Sequence, residues 1–266
     1  MKTVYFCFFS IWLISLILGL PEPLWGETEY FAIFMEGKKV GYAIQNRAVA
    51  DNKVTTTEEI SITVSRLNIP VSIKVVETCV ETIEGQPISF KVVQEFSGIA
   101  MEIEGKVNKQ GKVNVTTTSM GAQQNTTFQW PIGAVMAEGL RLLELKKGLK
   151  EGTQYKVKIF SPSMLQAVDA EIRIGPKQNI DLLGRVVALT EVQTIMKMPG
   201  AGEVVSIGYV DDEFRLQKNI TPIAGMQIEM IAAAKEFALG DNDALELIDK
   251  MFLAVSYTHL TLPTKA

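Results

Sequence analysis

The sequence predicts a mainly β protein with one or two short helices, a long antiparallel meander forming a curved sheet or half barrel around a helix. Three observations lead there. Apolar residues recur with period two from Tyr30 to Val115 and again from Tyr155 to Ile220. Short clusters of Gly, Asn, Asp, Lys and Glu interrupt the alternation at hairpin-like intervals. The period lengthens to a helical one only after Trp130 and near the end of the chain. Alternation over many residues means strands with one dry face and one wet face, as in antiparallel sheets.

In order along the chain, Tyr30, Ala32 and Phe34 alternate, Glu36-Gly37-Lys38 turns, and Val40, Tyr42 and Ile44 return, which predicts a β-hairpin. Asp51-Asn52-Lys53 is the next turn and leads into Thr55-Thr56-Thr57, Ile60, Ile62 and Val64, all β-forming types. Pro70 interrupts, and Val71, Ile73, Val75 and Val80 resume the pattern up to Glu84-Gly85-Gln86. Ile88, Phe90 and Val92 open another strand, broken at Gly98. Met101, Ile103, Gly105 and Val107 then lead to Lys109-Gln110-Gly111, followed by Val113 and Val115.

After Trp130-Pro131-Ile132-Gly133 the spacing predicts a short amphipathic helix over 134–145, stopped at Lys146-Lys147-Gly148. Strands follow over 155–160, 168–174, 186–195, 204–210 and 214–220, with Gly200-Ala201-Gly202 and Asp211-Asp212-Glu213 as loops. A last helix is expected over 231–239, ended by Gly240. The two strand-rich halves flank the helix after Trp130, and one continuous sheet is expected in preference to two stacked sheets.

The ends set the domain organisation. Lys2, the uncharged apolar run 4–20, the break at Pro21 and Pro23, and Gly26 before Glu27 have the layout of a secretory signal peptide over 1–26. The run is short for a membrane anchor, which needs about 20 residues. At the other end, Val255-Ser256-Tyr257-Thr258-His259-Leu260-Thr261-Leu262-Pro263-Thr264 matches, codon for codon, a translated transposase-type sequencing adapter. The expected organisation is a signal peptide (1–26), a β-rich extracytoplasmic domain (27–240), the start of a linker or next element (241–253) and an adapter artefact (254–266). The expected location is periplasmic or extracellular.

A net charge of -4 without clustered Lys and Arg argues against nucleic acid as a partner. Cys7 lies in the signal run, so Cys79 is the one thiol of the β domain, and a single thiol makes no internal disulfide. In a strand-like run it reads as a small buried hydrophobe. The one histidine, His259, sits in the adapter-like tail, so Ser-His-Asp and Cys-His catalytic sets are not expected in the domain. No GxGxxG or Walker-type loop is present. Glu102 and Glu104 share a strand face and read as solvated. Asp211-Asp212-Glu213 lacks the further spaced oxygens of a calcium loop and reads as an exposed turn. Asn114, Asn125 and Asn219 begin glycosylation-acceptor triplets, which threonine-rich strands produce by accident. Met120, Met136, Met164, Met196, Met198, Met226 and Met230 suit core filling or an adaptable apolar groove, which Trp130 would help to line. No catalytic residue, cofactor site or metal site is assigned to this chain.

Three segments carry a family resemblance. Tyr30 to Tyr42 resembles an opening strand pair of the form Y…G-x-K-V-G-Y. Gly208 to Lys218 resembles Y-V-D-x-x-G-x-x-x-K, with Glu213 where the pattern often has Gly. Pro222 to Met230, with Ala234 to Leu239, resembles P-x-x-G-x-x-x-E-x-x-x-x-x-K-E-x-A-L. In this order they are similar to the β-rich N-terminal region of exported bacterial transglutaminase-like proteins, which precedes a papain-like core. The layout also resembles exported bacterial domains with a lipoprotein-carrier-like half barrel. The first resemblance implies a non-catalytic accessory domain of an enzyme acting on peptide, amide or cell-wall substrates. Its Cys-His-Asp triad would lie beyond Leu253, and the missing C-terminal domain would be the partner. The second implies a stand-alone half barrel holding a lipid or other apolar ligand.

Overall fold

The computed structural model describes residues 25–67, 69–198, 202–223, 225–243 and 245. Of the expected signal peptide, 1–24 lies outside these residues, as does the adapter-like tail; Trp25 and Gly26 open the first strand. The first arm of the chain is β1 (Trp25–Met35), β2 (Lys38–Ala50), β3 (Lys53–Arg66), β4 (Ile69–Thr82), β5 (Pro87–Phe96), β6 (Ile99–Val107), β7 (Lys112–Ser119) and β8 (Ala122–Gln129). Then come β9 (Ala134–Val135) and helix α1 (Ala137–Lys147). The second arm is β10 (Gln154–Ser161), β11 (Gln166–Leu182), β12 (Arg185–Met198), β13 (Gly202–Val210), β14 (Leu216–Ile223) and β15 (Met226–Ala232), followed by α2 (Lys235–Ala238).

All the described strands form one 15-stranded sheet in the order β8-β7-β6-β5-β4-β3-β2-β1-β15-β14-β13-β12-β11-β10-β9. Every pairing is antiparallel except the short β9–β10 contact. The expectation of one continuous sheet holds. Hairpin turns such as Asp51-Asn52 (φ 51° and 56°) and Glu36-Gly37 (φ 53° and 77°) have two consecutive left-handed residues. That geometry matches the right-handed twist of the flanking strands.

Several details differ from the sequence reading, which also lacks the strand β8. Residues 134–135 pair with β10, so the helix starts at Ala137 rather than 134. The expected helix over 231–239 shrinks to α2, because Ile231 and Ala232 pair with Ala32 and Phe31 and complete β15. Pro70 does not break the meander: it lies inside β4 opposite Ser65, close to the tip of the β3–β4 hairpin. Phe214, expected to open a strand, sits in the β13–β14 turn with φ 64°.

The curvature brings the two arms of the sheet together through side chains. Phe160 of β10 meets Trp130 (ring centroids 4.5 Å), Phe90 of β5 (5.3 Å) and Phe128 of β8 (6.0 Å). Such pairs add about 0.5–1.5 kcal/mol each beyond the area they bury. Around them Cys79, Val92, Ile103, Val113, Val115 and Met136 complete one core. The Phe90 ring lies over Gly105, its cross-strand partner: a Cβ there would be 2.0 Å from the ring. A second core fills the opposite end of the same face, with Phe31, Ile33, Met35, Val40, Ala43 and Val64. Phe34 and Ile231, at alternate positions, face the other way and pack with Leu182 and Leu189 of the long β11–β12 hairpin. A register shift between Ile174 and Lys177 accompanies the change of face along that hairpin.

After β15 the chain is tied back to β2 and β3. The buried Lys39 ammonium donates to the carbonyls of Gly240 (2.8 Å) and Asp241 (3.3 Å) and to Asn242 Oδ1 (3.0 Å). The Lys39 N–H donates to Asp243 Oδ2, and the Asp243 N–H donates to the Lys39 carbonyl. Burial pulls the Lys39 ammonium below its ordinary value, against the charges of Asp241 and Asp243. Charge-assisted hydrogen bonds of this kind contribute about 1.5–3 kcal/mol each. Lys39→Met keeps the stem and removes the donors, so protease cleavage within 240–243 should accelerate by about tenfold or more. Mass spectrometry of timed digests reads this, and an unchanged cleavage rate would show that the lysine does not hold the segment.

Candidate functional site

Helix α1 lies on the concave face at the end opposite the Phe31 core. Its leucines Leu140 and Leu143 pack against Tyr155, Val157, Ile172 and Val192. Met136 at the N-cap offers no side-chain cap. The cap comes from β4 instead: the fully buried Glu81 carboxylate accepts from the N–H groups of Glu138 (2.6 Å) and Gly139 (3.0 Å). A carboxylate at this position also meets the positive end of the helix dipole. Burial raises the Glu81 carboxyl, the two backbone donors oppose it, and the Glu138 charge adds to the rise. Gly85 and Gly139 let the β4–β5 turn touch the helix, since a Cβ on Gly85 would lie 2.6 Å from the Gly139 Cα.

Glu138 is the electrostatic centre of the region. Its side chain is 1% exposed. It accepts a two-pronged pair from Arg47 of β2 (2.8 and 2.9 Å) and another from Arg141 one turn on (2.9 and 2.8 Å). Burial alone would raise its carboxyl, but the two guanidinium groups hold it at about 2.

Between α1 and the concave face of the sheet lies a cavity of ≈ 490 Å³. Its walls include Glu27 and Glu29 of β1, Arg47 of β2, Glu58 of β3, Glu77 and Cys79 of β4, Arg141 and Glu144 of α1, and Arg215 beyond β13. The arginines are committed. Arg47 and Arg141 hold Glu138, and Arg215 holds Asp211 and Glu213. Glu27, Glu29, Glu58, Glu77 and Glu144 therefore line the cavity without a salt-bridge partner among the described residues. Burial raises the Glu29 and Glu77 carboxyls. It pushes Glu144 up to about 7, with Arg141 pulling the other way. A second concavity of ≈ 900 Å³ opens near Ile132 and mixes Lys156 and Lys158 with Asp169 and Glu171.

The residues singled out in the sequence do not converge on one site. Cys79 is buried in the aromatic-lined core with its thiol toward Glu77, and burial beside Glu77 and Glu81 drives that thiol far above the thiolate range. Glu102 and Glu104 both pair with Lys91 on an exposed face. Asp211 Oδ1 accepts the N–H groups of Glu213 and Arg215, which makes this segment an Asx-type turn. Asn114, Asn125 and Asn219 lie within β7, β8 and β14. Met136 is core, Met120 is exposed, and Trp130 donates from Nε1 to the Ala134 carbonyl, which ties the approach to α1 against Phe160. The sequence reading missed Glu81, Glu138, Arg47, Glu144 and Lys39. One signal was present: Val75, Glu77, Cys79 and Glu81 share a strand face, so the apolar side of β4 carries two carboxylates.

No family model matches the chain, and no curated protein matches it. Among solved structures, the chain is similar to a crystal structure described as a β-barrel-like protein of the domain of unknown function DUF1849 from Brucella abortus. The TM-score is 0.56 and the identity 11%, over 77% of this chain and 94% of that one. At that identity the likeness concerns the fold: a β-barrel-like, curved antiparallel sheet.

Proposed function

We propose that the domain is a non-catalytic recognition module that takes a polar, cation-bearing ligand into the cavity beneath α1. The observation that carries this reading is the wall chemistry. Five carboxylates without salt-bridge partners among the described residues face one ≈ 490 Å³ space, while its arginines are held by other acids. With the arginines neutralised by other acids, the charges left over are of one sign, and such a cavity concentrates the opposite sign. The lining favours an amine over an apolar chain, so a peptide amine ranks ahead of a lipid. That ligand class suits an accessory domain of an exported transglutaminase-like enzyme, presenting amine-bearing peptide or cell-wall substrate to a separate catalytic core.

Titration calorimetry with free trilysine at low salt tests the reading. Saturable one-to-one binding is expected at about pH 8, weakening toward about pH 6 as Glu144 takes up its proton. Glu29→Gln combined with Glu144→Gln should weaken binding about tenfold, roughly 1.4 kcal/mol. Equal binding of trilysine and its fully acetylated, uncharged form, or an unchanged affinity in the double variant, would exclude the cationic ligand. A saturating long-chain fatty acid with no trilysine response would return the function to apolar-ligand binding.

A further inference from the structure

The two edges of the sheet are not alike. At one edge β9 pairs with β10 only at Lys158 and Ile159, and the chain passes from it almost directly into α1. The exposed Lys156 and Lys158 project from β10 beside it. A short strand and lysines are usual means of keeping an edge from pairing with another chain. At the other edge β8 runs for 8 residues, Ala122 to Gln129, with no charged residue, no proline and no register shift against β7. Each of its side chains except Phe128 is exposed, and among the described residues it pairs with β7 alone.

The β7–β8 ladder fixes which backbone groups lie open. The Trp130 N–H donates to the Gly111 carbonyl at 2.7 Å, which makes the adjoining Lys112–Gln129 pair a non-hydrogen-bonded one. Alternation then turns the N–H and C=O groups of Gln123, Asn125, Thr127 and Gln129 away from β7. They form an unbroken row of donors and acceptors about 20 Å long.

We infer that β8 is a dimerisation edge, pairing antiparallel with β8 of a second copy about a two-fold axis at Thr126. In that register Asn125 meets Thr127 of the second copy, Gln123 meets its Gln129, and the two Thr126 side chains face each other. Two observations make a copy of this chain the occupant. An uncharged strand of Gln, Asn and Thr meets itself without repulsion, and facing threonines pair by hydrogen bonding. The opposite edge is blunted by β9 and the lysines, so head-to-tail addition is closed off and the assembly stops at two. The sheet then continues across the axis. No residue of β8 lines the carboxylate-rich cavity, so this assignment and the proposed ligand stand or fall separately.

Sedimentation equilibrium on the full chain tests the pairing, and a dimer that dissociates on dilution is expected. Amide exchange at Asn125 and Thr127 should slow by about tenfold or more from dilute to concentrated protein. Thr126, whose N–H points toward β7, should exchange slowly at both. Thr127→Pro removes only an outward donor, which an edge strand tolerates. It should abolish the dimer while the β-sheet circular dichroism signal stays unchanged, and Thr127→Lys should do the same by charge. Thr126→Cys, in a chain that also carries Cys7→Ser, should form an intermolecular disulfide in air, since facing non-hydrogen-bonded residues lie about 4.5 Å apart. Gln124→Cys, on the same face but opposite Phe128 of the second copy, should not. Cys79 is buried and takes no part. A monomer at every concentration overturns the proposal and leaves the edge to a strand of a different protein. A dimer in which Asn125 and Thr127 exchange fast also overturns it, because the contact then lies on another surface.

Discussion

Glu138→Gln is expected to lower the free energy of unfolding by about 2–3 kcal/mol, below the roughly 3–5 kcal/mol of a fully buried pair because both arginines reach solvent. The side chain is 1% exposed and holds two guanidinium groups at once, Arg47 from the sheet and Arg141 from its own helix. The amide keeps the shape, loses the charge, and turns an NH₂ group toward two donors. Both arginines, 30% and 39% exposed, then lose their shared acceptor and are left to partial solvation. Urea midpoints should fall with an unchanged slope, and a loss below about 1 kcal/mol would mean that water or a neighbour already compensates the arginines.

The pH dependence separates this carboxyl from Glu144. Glu138 is held at about 2 in the fold against an ordinary value of 4.5. The stability it contributes is complete above the unfolded value and is lost as the pH falls from 4.5 toward about 2. Glu138→Gln should remove that acid limb. Glu144 has the opposite sign. Its folded value of about 7 lies above 4.5, so its contribution is complete below 4.5 and is lost as the pH rises through about 7. The two carboxylates belong to one helix and yet set opposite flanks of the stability profile.

Gly41→Ala is the second large effect, with an expected loss of about 3–4 kcal/mol. Gly41 pairs with Ile33 on one side and Ile62 on the other, next to the register shift between Ile33 and Phe34. An added Cβ would lie 1.9 Å from the Ser61 carbonyl oxygen, 2.9 Å from its carbon and 3.0 Å from the Ile62 Cα. All three are backbone atoms, so no side-chain rotation relieves the clash and β2 must part from β3. For a domain of this size the loss corresponds to a fall of about 10 °C in Tm. A Tm unchanged within about 2 °C would show that the β2–β3 ladder relaxes around the methyl group.

The meander was legible because local chemistry decided it. Asp51-Asn52 and Glu36-Gly37 carry the left-handed turn residues that hairpins need, and Phe90, Val92, Ile103 and Val113 repeat with the period of a one-sided core. The strand that joins the two arms was not legible. β15 is short, and its Met226, Ile228 and Met230 run directly into a stretch of helix-forming residues. Its conformation is decided by β1 and β14, which are distant and adjacent in sequence respectively. β8 was missed for a different reason. As an edge strand mostly of Gln, Asn and Thr, with Phe128 alone partly buried, it has no apolar period. The cavity was hidden for a related reason. Its carboxylates without salt-bridge partners among the described residues come from β1, β3, β4 and α1, and only the curvature of the sheet brings Glu29, Glu58 and Glu77 opposite Glu144. Periodicity reports which face of a strand is dry, but not which strands will look at one another across a roll.

The pairing of β1 with β15 has a temporal consequence. Each arm is a succession of neighbouring hairpins, so its ladders can form as soon as the next strand has been synthesised. The seam between the arms joins the first described strand to the last described one. One edge of β1 therefore waits, unpaired, through the elongation of every strand from β2 to β14. Closing that seam carries an entropic cost that grows only with the logarithm of the enclosed length. It is the event that turns two open ladders into one continuous sheet, and the exposed edge of β1 before it is where a stalled or shortened chain would recruit a stranger's strand.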